Sequence, residues 1–162
     1  QCSDTLESVR KEILEEVRSS VERATFRYFK ELIWKKKKFK DVKINENYAV
    51  SVIDRYGRNV VDDLSAGEKE ILALSFMAAL RKVSGFEAPI VIDTPLARIS
   101  REHRLNIART LPKYLRDTQI ILLLTDEEYT KEVRELLEPC LATRYILCYD
   151  DEKDETRVEK WQ

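Results

Sequence analysis

Apolar residues in the first part of the chain recur at three- and four-residue steps: Leu6, Val9, Ile13, Val17, Val21, Ala24, Tyr28 and Leu32. No Gly or Pro interrupts residues 4–38, so the pattern predicts one amphipathic helix. At 1.5 Å per residue it would be roughly 50 Å long, more than a compact domain of this size needs to cover one face. A stripe of that length fits the end of a coiled coil or a long packing helix. The period then changes. Residues 42–44 and 48–54 read as strands, 55–58 as a turn and 59–61 as an antiparallel return. Helical spacing resumes over 66–83, where Ile71, Leu72, Leu74, Ser75, Ala78, Ala79 and Val83 form a small-residue face; Ser84 and Gly85 end it. Residues 90–93 read as a short strand stopped by Pro95. Residues 101–115 read as a helix with Pro112 as a possible kink. The unbroken apolar run 119–124 is expected to be a parallel strand buried on both faces. Residues 127–137 read as a helix, and 145–149 and 156–161 as two strands around the polar turn 150–155. Strands alternating with helices in this order predict an α/β fold, a mostly parallel sheet flanked by helices with right-handed crossovers.

Two junctions in this pattern carry candidate chemistry. Ser65, Ala66, Gly67 and Glu68 stand where the strand-rich stretch becomes a helix. A helix N-terminus holds unpaired N–H groups and about half a positive charge, which suits an anion. Ser followed three residues later by Glu is also the spacing of an ordinary capping box that needs no ligand. Asp93 is the second candidate, a carboxylate delivered at the carboxyl end of a strand, where ligands of α/β sheets gather.

Together, LSAGEKEILALSF and IVIDTPLARIS resemble the signature motif and Walker B strand of ABC-type ATPases, in their SMC-like subgroup. DTPLARIS and its neighbours bring the resemblance nearest to the DndD-type proteins of DNA phosphorothioation, and the likeness covers roughly residues 45–162. It implies the C-terminal lobe of an ATPase head over residues 39–162, with residues 1–38 as the end of the returning coiled-coil arm. No GxxxxGK[ST] stretch occurs, so the phosphate-cradling loop would lie on an N-terminal lobe of the same protein. ATP and Mg²⁺ are the implied cofactors. Asp93 matches the aspartate that orients Mg²⁺, usually through water. Ser65, Ala66, Gly67 and Glu68 match the signature that closes over a γ-phosphate held by a second head in a head-to-tail dimer. Leu96, Ala97, Arg98, Ile99 and Ser100 fall at the D-loop, which crosses the same interface. This chain by itself should be inactive, and the complete head should be an ATPase.

Departures from the family pattern bear on hydrolysis. Thr94 stands where a catalytic Glu often follows the Walker B aspartate, and its hydroxyl is a poor base near neutral pH. Ser100 replaces the usual D-loop Asp, and Asp126 occupies the place of the switch histidine. Asp126, Glu127 or Glu128 could supply a base; Thr125 and Asp126 equally read as a helix cap. The functions left standing are an ATPase coupling head dimerisation to DNA modification, a switch that binds ATP without hydrolysing it, a related SMC-like ATPase of repair or phage defence, and a DNA-tethering coiled-coil module.

Composition adds little. Charged residues are 36% of the 162, and 29 Lys and Arg nearly cancel 30 Asp and Glu. Only a local patch could therefore favour nucleic acid. Lys35, Lys36, Lys37 and Lys38 make one, with Phe26, Tyr28, Phe29, Trp34 and Phe39 nearby, and lysines suit sequence-independent phosphate contact. The same run also suits a solvated helix end. Cys2, Cys140 and Cys148 lack the spacing of a zinc site or a disulfide framework. The sole histidine, His103, reads as a surface residue, and Trp34 and Trp161 as packing anchors. No signal-peptide layout or bilayer-length apolar run is present, so the expectation is a cytoplasmic protein without a membrane partner, acting with other DNA-modification proteins. Starting on Gln rather than Met, the chain reads as a piece of a longer protein.

Overall fold

The computed structural model describes residues 2–116 and 118–161, with side chains from residue 5 onward. Its elements run α1 (Cys2–Leu32), β1 (Phe39–Ile44), β2 (Val50–Asp54), α2 (Ala66–Ser84), β3 (Ile90–Asp93), α3 (Arg101–Tyr114), β4 (Ile120–Leu123), α4 (Lys131–Leu137), β5 (Tyr145–Asp150) and β6 (Glu155–Lys160). The class is α/β, as the alternation predicts. Among the described residues the strands form three separate pairs rather than the mostly parallel sheet expected: β1–β2 and β5–β6 are antiparallel hairpins closed by local turns, and only β3–β4, joined through α3, is parallel.

The stripe on α1 crosses two environments. Leu6, Val9, Ile13 and Val17 are exposed, whereas Val21, Tyr28, Phe29 and Leu32 are in the core. The buried half packs on α2, β1 and α3. Phe29 meets Phe39 edge to face at 5.2 Å, and this contact draws the chain back as β1. The helix therefore stops at Leu32, six residues before the expected end at Lys38. Its terminal carbonyls, of Glu31 and Leu32, accept the side-chain amide of Asn106 from α3, which caps the end from across the core. Lys35 to Lys38 consequently lie in a turn rather than on a helix, and β1 starts at Phe39, three residues before the expected strand.

The β1–β2 hairpin is held to α1 by Glu22, whose carboxylate accepts the Ile44 N–H at 2.7 Å and pairs with Lys43 at 3.1 Å. At its far end Asp54 accepts the N–H groups of Tyr56 and Arg58, and the Arg58 guanidinium at 2.8 and 2.9 Å. Although burial pushes the Asp54 carboxyl up, these donors hold it below its usual range. The hairpin thus delivers residues 59–64 to the start of α2 in a fixed register.

Two expectations give way in the second half. The parallel pair is not buried on both faces: Ile92 is buried, while its neighbour Val91 is 60% exposed, and Ile121 and Leu123 are exposed beside it. With two strands and one crossover helix, only one face of the pair is covered. Helix α4 begins at Lys131 with Thr130 as its N-cap, four residues later than expected. Thr125 instead closes a turn, its carbonyl accepting the N–H groups of Glu128 and Tyr129 at 3.0 and 2.9 Å.

Candidate functional site

Helix α2 begins in a complete capping box. Ser65 has extended φ and ψ and its Oγ accepts the Glu68 N–H at 3.3 Å, while Glu68 Oε2 accepts the Ser65 N–H at 3.0 Å. Glu68 Oε1 takes the Lys38 ammonium at 3.0 Å, so one lysine of the basic turn is committed to this helix end. Burial raises the Glu68 carboxyl, but the Ser65 N–H and Lys38 outweigh it and hold it below the normal glutamate range. Ser65 and Ala66 remain exposed; Gly67 and Glu68 are buried.

Gly67 explains why this turn cannot carry a larger residue. A Cβ there would lie 2.9 Å from Ile99 Cγ2, 3.3 Å from Ile99 Cα and 3.4 Å from the Arg98 carbonyl oxygen. The loop after β3 therefore presses directly on the first turn of α2. Both sequence candidates for the signature and the D-loop are in contact, with Arg98 and Ser100 exposed beside them. Ser100 is the N-cap of α3, and its Oγ lies 3.3 Å from Nδ1 of His103. His103 is not a surface residue: it is 6% exposed, stacked edge-on near Trp34 at 6.3 Å, with Nε2 buried and unpartnered. Burial pushes its pKa down; Glu68 and Glu102 oppose that shift and Lys35 reinforces it. Its helical position three residues after the cap aims it inward, a placement that flanking Glu102 and Arg104 conceal in the sequence.

Asp93 ends β3 on the open face of the parallel pair, in register with Leu123 and exposed. Thr94 follows with φ +46°, a left-handed conformation that costs a β-branched residue about 1–3 kcal/mol. Its N–H donates to the Leu123 carbonyl at 2.9 Å and holds it there. Such strain concentrates where backbone direction matters to function.

Three carboxylates follow β4. Asp126 is exposed and Glu128 is 1% exposed. Glu128 Oε1 accepts the Leu96 N–H at 2.7 Å, and Oε2 accepts the Thr125 N–H and hydroxyl at 2.9 and 3.0 Å. A carboxylate so enclosed is spoken for, which removes Glu128 from the three candidate bases. Thr125 and Glu128 have capping-box spacing, a signal that could have marked the pair in advance. Among the described residues no cluster of three His, Cys, Asp or Glu could hold a metal by itself. Asp93 alone could supply at most a single ligand to a hard cation such as Mg²⁺.

A second surface lies at the basic turn. Lys35, Lys36, Lys37, Trp34, Arg55 and Tyr56 line a groove of roughly 790 Å³ between the turn and the β2 hairpin loop. Trp34 is more than half exposed rather than a packing anchor, with the Lys35 ammonium 5.3 Å over its ring. Trp161 meets Tyr129 edge to face at 6.0 Å. Among the described residues no helix is long and apolar enough to cross a membrane.

No protein-family model and no curated protein sequence matches this chain. Solved structures do. The Smc head domain with coiled coil and joint from Pyrococcus yayanosii superposes with TM-score 0.73 at 14% identity, over 98% of this chain and 30% of that one. A Pyrococcus furiosus Smc head with an extended coiled coil, bound to the C-terminal domain of ScpA, gives 0.68 at 14%, over 98% and 38%. A chain from work on ATP-driven dimerisation and DNA-stimulated activation of SMC ATPases gives 0.66 at 14%, over 94% of this chain and 89% of that one. This chain thus spans well under half of the two archaeal heads and most of the third. Its fold is that of part of an SMC head domain.

Proposed function

We propose that this chain is the C-terminal lobe of an SMC-like ABC ATPase head, of the DndD type that serves DNA phosphorothioation, with residues 1–38 as the end of its coiled-coil arm. One observation carries the reading: within an SMC-head fold, the capped N-terminus of α2 is pressed through Gly67 against the loop that leaves β3 immediately after Asp93. In that role Ser65, Ala66, Gly67 and Glu68 offer N–H groups and a hydroxyl to the γ-phosphate on a second head. Arg98 and Ser100 line the same interface, and Asp93 contributes to Mg²⁺. ATP would be held mainly by a P-loop on an N-terminal lobe, so this chain alone has no turnover. Thr94 leaves the general base unassigned; Asp126 is exposed and sterically free to act, and an ATP-gated switch without hydrolysis is the alternative.

The test is Ser65→Arg in the complete protein. An arginine at an exposed N-cap leaves the fold nearly intact and occupies the space that nucleotide must enter. ATP binding by the P-loop lobe should persist while ATP-dependent dimerisation, read by light scattering, is lost. Normal dimers together with a stability loss of about 1 kcal/mol, the size of a lost helix cap, would refute the assignment.

The groove at Lys35, Lys36 and Lys37 supports a DNA contact as part of this function. Phosphate contacts release counterions, so affinity should fall steeply with salt, and replacing the three lysines by Gln should reduce the slope of log affinity against log salt by about 3.

A further inference from the structure

We infer that Glu128 is a positioning residue for the head interface: its buried carboxylate locks the loop after β3 to the end of β4, and thereby fixes the surface that residues 96–100 present beside Ser65. The inference rests on the signature reading of Ser65 proposed above. Glu128 is 1% exposed, and each of its oxygens is engaged on a different segment. Oε1 takes the Leu96 N–H at 2.7 Å; Oε2 takes the Thr125 N–H at 2.9 Å and the Thr125 hydroxyl at 3.0 Å. A buried carboxylate is tolerated only when hydrogen bonds replace its water, and three charge-assisted bonds do so here.

The consequence passes along a short covalent and packed path. Leu96, itself buried, opens the segment whose Ile99 and Arg98 carbonyl abut Gly67. Gly67 sits in the first turn of α2, two residues after the Ser65 cap. Releasing Leu96 frees the loop to drift away from α2, and the exposed pair Arg98 and Ser100 moves with it. On the other side, the same carboxylate holds Thr125 at the end of β4, whose Leu123 carbonyl keeps Thr94 in its left-handed conformation. Glu128 therefore braces both strand ends around Asp93 without reaching solvent. Enclosure and full hydrogen bonding leave it no access to a water proton, so its role is geometric rather than that of a base.

Glu128→Gln is the informative variant because the amide keeps the shape but can accept at only one end. Its NH₂ must then face either the Leu96 N–H or the Thr125 donors. In the complete head, amide exchange at Leu96 and Ile99 should speed up about tenfold or more, the size expected for loss of a charged hydrogen bond. The KM for ATP should stay within about twofold, since the P-loop lobe is untouched, while ATP-dependent dimerisation and kcat fall together by about tenfold. Thr125→Val removes one donor only and should show the same pattern at smaller amplitude, which keeps the test decisive if Glu128→Gln does not fold. Unchanged exchange at Leu96 would overturn the brace, and so would faster exchange with unaltered dimerisation. Retained dimerisation with lost turnover and a missing limb of the pH–rate profile would make Glu128 a base and overturn it as well. Wild-type heads that fail to associate with ATP would instead sink the signature reading, and the exchange comparison would still decide whether Glu128 holds the loop.

Discussion

At Gly67 the requirement for a glycine comes from a neighbour rather than from backbone conformation. The helix there is regular, but Ile99 Cγ2 would lie 2.9 Å from a new Cβ, and Ile99 Cα and the Arg98 carbonyl stand just behind it. A β-branched side chain fixed by its own backbone cannot swing aside, so Gly67→Ala should push the 96–100 loop off α2. We expect a loss of about 1–3 kcal/mol, the range for overpacking, measured by denaturant melting. A net gain of stability, toward the roughly 1 kcal/mol by which Ala outdoes Gly in a helix, would show that the loop yields freely. The sequence shows Gly67 as part of a motif but cannot show Ile99 against it, since that contact joins residues 32 apart. His103 departs from its expected surface position for a related reason. Its charged neighbours suggest a surface, whereas its own face of α3 turns toward Ser100 and Trp34.

Among the elements, most strands and the last hairpin were legible because turn chemistry and alternation are local; the first hairpin was not, since β2 pairs back on β1 and the expected return at 59–61 shrinks to a single bridge between Asn59 and Ile53, and neither were the ends of α1 and α4. The end of α1 depends on Asn106, some 75 positions away, and the start of α4 on Glu128 turning back to Thr125 instead of opening a helix. The capping box of α2 was legible, but its third partner was not: Lys38 reaches Glu68 from the turn that a longer α1 would have abolished. That ion pair ties the exit of α1 to the start of α2, and together with the Ser65 N–H it gives this junction an acid limit. The Glu68 pKa lies below its usual 4.5, so the charged form stabilises the fold fully above that value and the contribution is lost as pH falls through the lowered one. Glu68→Gln should cost about 1–2 kcal/mol at neutral pH, and the gap from wild type should close under acid conditions. A gap that stays constant down to the acid transition would mean that the charge on Glu68, held by the Ser65 N–H and Lys38, contributes nothing.

For the whole molecule, what remains uncovered says more than what is buried. Val91, Ile121 and Leu123 form an apolar strip on the open face of the parallel pair, with Asp93 at its edge; Tyr145, Leu147, Tyr149 and Val158 are likewise exposed on the last hairpin. A parallel pair with one bare apolar face lacks a covering layer, since parallel strands are ordinarily covered on both sides. The apolar run 119–124 was legible as a strand, but its expected burial on both faces is not met in this chain, where Ile121 and Leu123 stand exposed. Val91→Glu tests for the covering layer directly. At a position 60% exposed the substitution should change the stability of this chain little, within about 0.5 kcal/mol. If the N-terminal lobe seats on this face, the variant loses the burial of a valine, about 1.5–3 kcal/mol, and adds the desolvation of a carboxylate. Co-expressed lobes should then separate on size exclusion while wild-type lobes elute together. Co-elution of the Val91→Glu variant with an unchanged melting curve would place the partner lobe elsewhere and leave the strip to another neighbour.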